Sequence, residues 1–147
     1  MYMIQCAGVI LVTKDGGVLL QRRDDVDGVV DRGMLSIFAG ANLEGETSIQ
    51  AALRELEEET DLRLVPEAIY FFDRFQFKQN LSDIFIARNI KVDDITILEG
   101  TGVELISSRS DFLSHKDIAP ISRLALDTFF NFVRFGKPVI DASSKVH

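Results

Sequence analysis

The stretch GANLEGETSIQAALRELEEETDL, residues 40–62, decides how the chain is read. It passes from a glycine-containing loop, Gly40 to Glu46, into a run from Thr47 to Thr60 with neither glycine nor proline. Thr47 followed three residues later by Gln50 is a capping-box pattern, in which each side chain satisfies a backbone N–H left open at a helix start. At 100° per residue, with Glu55 at zero, Glu59 lies at about +40° and Glu58 at about −60°, so three carboxylates share one arc. Ala52, Leu56, Ile49, Thr60 and Leu53 fill the arc from about 60° to about 160°, the face expected to pack on a sheet. Ser48 and Ala51 share the carboxylate face toward the N-terminus, and their small size leaves room above the glutamates. Glu57 points elsewhere.

Like charges three and four residues apart on a helix cost roughly 0.2–0.5 kcal/mol per pair. A hard divalent cation held by oxygens would relieve that repulsion, and Mg2+ with retained waters suits such a face. Arg54 sits four residues before Glu58 and three before Glu57, where a bidentate bond could fix a carboxylate rotamer. The loop running into the helix start brings backbone N–H groups and the helix dipole together, a common anion site. Taken as chemistry alone, the same pattern also fits a solvated acidic face. Both readings stay open at this level.

Upstream, Cys6 to Thr13 is β-branched and apolar, followed by Asp15-Gly16-Gly17 and then Val18 to Arg22. Strand, turn and strand predict a β-hairpin. Asp24 to Gly33 is polar and reads as a surface loop, and Met34 to Phe38 as another short strand. Downstream, Ala68 to Phe77, Ile84 to Ile90 and Thr101 to Ile106 read as strands. From Ile118, apolar residues at Ile121, Leu124, Ala125, Phe129 and Phe132 follow a helical period, with Gly136 and Pro138 as a stop signal. The expected fold is α/β (α+β): a mixed β-sheet with one central helix and one C-terminal helix.

The whole chain of 147 residues suits one domain, 1–147, and its 46% hydrophobic content with eleven phenylalanines excludes disorder. One cysteine, Cys6, excludes a disulfide framework and a Cys-rich zinc site, and it reads as a buried apolar residue. Two histidines leave little for a His-based metal site. Sixteen basic against 23 acidic residues give a net charge of −7, which disfavours a nucleic-acid polymer as partner. A phosphorylated ligand stays compatible, because a divalent cation reverses the local sign. The N-terminus lacks a basic region and no apolar run reaches about 18 residues, so neither a signal peptide nor a membrane span is expected. A cytoplasmic protein is the expectation.

Gly40, five residues, Glu46, seven residues, then Arg54-Glu55-Leu56-x-Glu58-Glu59-x-x-Leu62 resembles the Nudix box. The family pattern is Gly-x5-Glu-x7-Arg-Glu-U-x-Glu-Glu-x-Gly-U, where U is bulky and aliphatic. Six of its seven charged or glycine positions are present without a gap. Asp61 replaces the last glycine, a position where Asp tolerates left-handed backbone better than most residues. The Pro-Gly-Gly common before the box is here Phe38-Ala39-Gly40, which keeps the second glycine.

The resemblance implies a Nudix-like α/β/α sandwich with a catalytic helix. It also implies metal-dependent hydrolysis of a nucleoside diphosphate linked to another moiety, with Mg2+ or Mn2+ as cofactor. By resemblance Glu55, Glu58 and Glu59 hold metal with the Gly40 carbonyl, Arg54 orients a carboxylate, and Glu46 fixes the loop. Glu58 is the candidate general base inside the box. Glu99, flanked by glycine in Leu98-Glu99-Gly100, is the candidate carboxylate outside it, with Glu104 next. Arg23 is placed to bind a phosphate, unless it pairs with Asp24 or Asp25. Phe75 is the candidate for stacking on a base, from a set (Tyr70, Phe71, Phe72, Phe75, Phe77) that equally suits a core. The partner expected is a nucleotide-type small molecule, and homodimers are common among similar proteins. The alternative function is a nucleotide-sensing or ligand-binding module that kept the fold and lost turnover. Regulators of that kind usually carry a second domain, and the intact glutamates favour catalysis.

Overall fold

The computed structural model describes residues 2–134, so the stop signal at Gly136 and Pro138 lies outside the described residues. The elements in order are β1 (Ile4–Val12), β2 (Val18–Arg22), β3 (Leu35–Ser36), β4 (Phe38–Ala41), α1 (Ser48–Thr60), β5 (Ile69–Phe77), β6 (Asn80–Ala87), β7 (Gly102–Ile106), α2 (Arg109–Ser114) and α3 (Pro120–Arg134). β1 is the spine. Along one edge it pairs in parallel with β6 over its length, from Ile4↔Asn80 to Leu11↔Ala87. Its other edge forks: Cys6 to Val9 pair with β4, whereas Leu11 and Val12 pair with β2. β2 carries β3 and β7 on its two sides, and β5 closes the far edge against β6.

Alternation along β1 divides two cores, because successive strand residues point to opposite faces. Ala7, Val9 and Leu11 pack with Phe38, Ala51, Ala52 and Leu56 under α1. Ile10 and Val12 pack with Leu20, Ile84, Ile86, Phe112, Phe129 and Phe130 under α2 and α3. The result is the expected α/β/α sandwich. Among the described residues, no helix is long and apolar enough to cross a membrane.

Three local readings are corrected. The single strand expected over Met34 to Phe38 is two strands, because Ile37 donates its N–H to Ser122 Oγ of α3 at 3.0 Å instead of to a neighbouring strand. The strand expected over Ile84 to Ile90 begins at Asn80, since the β5–β6 hairpin closes at once with Phe77 opposite Asn80. Lys78 takes the left-handed conformation that this tight connection needs, at φ 54°. Helix α2 was not expected. Ser108 caps it by accepting from the Asp111 N–H at 3.1 Å, a Ser-x-x-Asp signal too short to carry periodicity.

Helix α1 ends as its sequence suggests. Asp61 takes φ 58° and donates its N–H to the Glu57 carbonyl at 2.8 Å. Its only side-chain ion pair among the described residues is with exposed Arg63, at 3.6 Å, which contributes little. Asp61→Gly is therefore expected to stabilise the fold by about 0.5–1 kcal/mol, since glycine carries no Cβ penalty in this region. Urea unfolding would measure it. Turnover should not change, and a loss of stability would mean that the left-handed turn is not where the cost lies.

Candidate active site

The site forms where β1 forks between β4 and β2 and α1 packs on β1 and β4. The Thr47 capping box closes on both sides: Gln50 donates its N–H to Thr47 Oγ1 at 3.2 Å, and Thr47 its N–H to Gln50 Oε1 at 3.0 Å. Ser48 donates from its hydroxyl to buried Asp83 of β6 at 2.5 Å, and Arg74 grips the same carboxylate through two bonds. That anchors the helix start to the sheet.

Arg54 organises the loop side. It donates from Nε and Nη2 to the two oxygens of Glu46, at 2.6 and 3.0 Å, and from Nη2 to the Ala41 carbonyl at 3.1 Å. Glu46 in turn accepts from the Leu43 N–H at 2.8 Å, which closes the loop between β4 and α1. The guanidinium beside it holds the Glu46 carboxyl below the usual carboxylate range. The bidentate partner of Arg54 is thus Glu46, not a residue one turn along the helix. Its Nη1 also reaches Glu55 at 2.9 Å and Glu58 at 3.1 Å. Glu57 stands on the other side, exposed beside Arg63.

The three glutamates differ in setting, which corrects the reading of one exposed acidic face. Glu58 is half exposed. The Glu55 carboxyl lies directly over Gly40, where a Cβ would overlap it, so glycine there is a requirement of space. Burial pushes Glu55 upward in pKa, opposed by Arg54. Glu59 is only 2% exposed. Gln21 of β2 donates to its Oε2 at 2.8 Å, while its Oε1 is buried with no hydrogen-bond partner. Burial pushes the Glu59 pKa up to about 8, with repulsion from Glu55 and Glu99 adding to it. Ser36 Oγ and Asn42 Oδ1 are also buried and unpaired, but neither can ionise.

The segment after β6 docks on the end of α1. Thr96 and Leu98 donate their N–H groups to the carbonyls of Thr60 and Glu59, at 3.0 and 2.9 Å. Gly100 lets the chain turn back: its φ is 85°, and a Cβ would come within 2.5 Å of the Arg22 carbonyl. Glu99 is thereby set close enough to repel Glu55 and Glu59. Gln21, Arg23, Asp24, Val29, Leu98, Glu99 and Gly100 line a cleft of about 290 Å³ beside Glu59. Arg23 donates to the Val30 carbonyl at 2.6 Å and attracts the Glu59 carboxylate.

The structure therefore brings together Gly40, Glu46, Arg54, Glu55, Glu58, Glu59, Glu99 and Arg23. It separates Phe75, which packs with Phe72 on the α3 side of the sheet, away from α1. Glu104 is committed to Arg22, which donates to it at 2.7 and 2.9 Å. Gln21 was missed. Its signal was present as a polar residue inside the apolar strand VLLQR, two residues before Arg23 and hence on the same face.

The donor set suits a hard divalent cation: carboxylate and carbonyl oxygens, with one buried carboxylate oxygen unpaired. Among the described residues no three acidic, His or Cys side chains converge on a point. Arg54 Nη1 donates to both Glu55 and Glu58, so the two carboxylates share one counter-charge.

The NUDIX domain family model matches residues 4–123. The chain belongs to the NUDIX domain family. As a Nudix hydrolase it is an enzyme of nucleoside diphosphate-linked hydrolysis in general, in a family that uses divalent metals. The fold is similar to that of the MutT protein from Methanosarcina mazei, with TM-score 0.72 and 21% identity over 93% of this chain and 97% of that one. It is similar to a NUDIX hydrolase from Nitrosomonas europaea, with TM-score 0.72 and 21% identity over 95% and 77%. A bifunctional NMN adenylyltransferase/ADP ribose pyrophosphatase from Francisella tularensis, complexed with AMP and a Mn ion, gives TM-score 0.69 and 18% identity over 90% and 42%. No curated protein matches the chain.

Proposed function

We propose that this Nudix hydrolase splits the pyrophosphate link of a nucleotide-type substrate, such as a nucleoside triphosphate or nucleotide sugar, with Mg2+ or Mn2+ as cofactor. The carrying observation is the buried, unpaired Oε1 of Glu59, on a carboxyl that Glu55 and Glu99 repel and Arg23 attracts. Glu55, Glu58, Glu59 and the Gly40 carbonyl would hold the cation. When bound, it neutralises phosphate charge and polarises the phosphoryl group under attack.

The chain's own residues do the rest. Glu46 and Arg54 hold the loop before α1 in one shape, so the Gly40 backbone stays beside Glu55. Arg23 positions a phosphate at the cleft mouth. Glu58, half exposed and next to Arg54, takes the proton of the attacking water as the water oxygen bonds to phosphorus. The bond from phosphorus to the bridging oxygen breaks, and the leaving phosphate departs with that electron pair. Glu99 is the second carboxylate able to accept the proton. The net acidic charge supports a small-molecule substrate over a nucleic-acid polymer.

The test is a panel of oxidised and normal nucleoside triphosphates, nucleotide sugars, ADP-ribose and dinucleoside polyphosphates, assayed with Mg2+, with Mn2+ and with excess chelator. Hydrolysis of at least one member is expected with metal and not with chelator. Full turnover in chelator would sink the reading. Binding of a nucleotide without turnover under any metal would favour a sensing module instead.

A further inference from the structure

Gln21 is 2% exposed, yet its side chain is a neutral amide in a strand that is otherwise apolar up to Arg22. Its backbone is held on both sides, opposite Ser36 of β3 and Val103 of β7. Its Nε2 faces two acceptors, Glu59 Oε2 at 2.8 Å and the Ile37 carbonyl at 3.5 Å, which sets the orientation of the amide. One Glu59 oxygen is thus taken, and the other, Oε1, is left buried without a partner. A buried carboxylate oxygen without a partner is costly, so its persistence asks for a ligand. Glu59 is further fixed at its backbone, where its carbonyl accepts from Leu98.

Resting on the reading that Glu59 is a cation ligand, we propose that Gln21 is a positioning residue for the cation site, holding Glu59 Oε2 so that Oε1 is the oxygen presented to the metal. Gln21 itself touches neither the cation nor the reacting atoms. Partners that orient a ligand typically matter 10–100-fold in metal affinity. Removing this donor frees the carboxylate to rotate or to share both oxygens poorly, while the cleft keeps its shape.

The experiment is calorimetric titration of Mn2+ into the full chain, as wild type, Gln21→Met, Gln21→Asn, Glu59→Gln and the Glu59→Gln/Gln21→Met pair. Gln21→Met keeps the volume and removes the donor; Gln21→Asn withdraws it by one methylene and serves if the methionine variant does not fold. Both should bind Mn2+ about 10–100-fold more weakly. Within the Glu59→Gln background, Gln21→Met should change affinity by less than about threefold, because the group it positions is gone. In the assay, the Mn2+ activation constant should rise by the same factor. Wild-type affinity in both Gln21 variants would overturn the inference. So would equal losses in both backgrounds, which would indicate general damage. No specific Mn2+ binding by wild type would overturn the cation site itself, and the inference with it.

Discussion

Replacing Glu59 with glutamine is expected to lower turnover about 10³-fold while leaving the fold intact, and in excess chelator to make it more stable than wild type at pH 8. The first effect follows from removing a ligand charge, since a bound cation supplies several kcal/mol of transition-state stabilisation and about 4 kcal/mol corresponds to roughly 10³-fold. The second follows from burial. The glutamine carbonyl can still accept from Gln21, so the hydrogen bond at Oε2 is kept. The side-chain carboxyl of Glu59, by contrast, has its pKa pushed up to about 8 by burial. A carboxyl whose folded pKa lies above its unfolded value of 4.5 binds more protons in the folded state between those values. Stability is then full below about pH 4.5 and falls as pH rises toward 8. Glu55 shifts in the same direction through burial. Glu46, Asp83, Asp111 and Asp117 shift the other way, so they act below the unfolded carboxylate range and leave the window from 5 to 8 to the buried pair. Urea unfolding in chelator at pH 5 and pH 8 should show a decline for wild type that Glu59→Gln reduces. Glu57→Gln, on the exposed side beside Arg63, is the control and should lose little of either activity or stability. Equal losses of turnover in both variants would mean that the acidic face is wrongly assigned.

How far the site could be read in advance depended on whether its contacts are local. The capping box and the left-handed Asp61 each depend on residues within a turn: Thr47-x-x-Gln50 carries the first, and Asp61 bonding back to Glu57 the second. The three-carboxylate arc also follows from helix geometry. What the projection could not show is which part of that arc faces protein. Ala51 and Glu59 share the carboxylate arc on a wheel but are buried, Ala51 in the core that α1 forms with β1 and β4, and Glu59 against Gln21 of β2. That enclosure comes from the fork in β1, a pairing choice between strands about 20 residues apart in sequence. Gln21 stands out as a polar residue in an apolar strand, but the carboxylate it holds is 38 positions away and no local pattern names it. Glu99 is legible through its glycine neighbour, since Gly100 takes the positive φ of the turn that follows it. The face of Phe75 is set by alternation along β5, which a bulge between Phe71 and Asp73 shifts, and no local sequence pattern marks that bulge.

A divalent cation should raise the melting temperature by roughly 5–10 °C at about 100 times its dissociation constant. Anything that binds only the folded state adds RT ln(1 + [L]/Kd), about 2.7 kcal/mol at that ratio. For a domain of this size each kcal/mol shifts melting by about 2–4 °C or slightly more. The structure gives the reason for expecting specificity. Without a cation, Arg54 alone offsets Glu46, Glu55 and Glu58, while Glu59 keeps a buried oxygen unpaired. A plain acidic face would respond only to screening, and NaCl of matched ionic strength would then reproduce the shift, because screening depends on ionic strength and not on which ion supplies it. Proton release sharpens the test. A carboxyl with a pKa near 8 must lose its proton to bind metal, so the shift should be larger at pH 8 than at pH 6. The decisive arms are wild type with Mg2+, wild type with matched NaCl, and Glu55→Gln/Glu59→Gln with Mg2+. Loss of the Mg2+-specific shift in the double variant places the cation on this helix. The same shift in both proteins would put the cation elsewhere, and the roles proposed for Glu55, Glu59 and Gln21 would fall together.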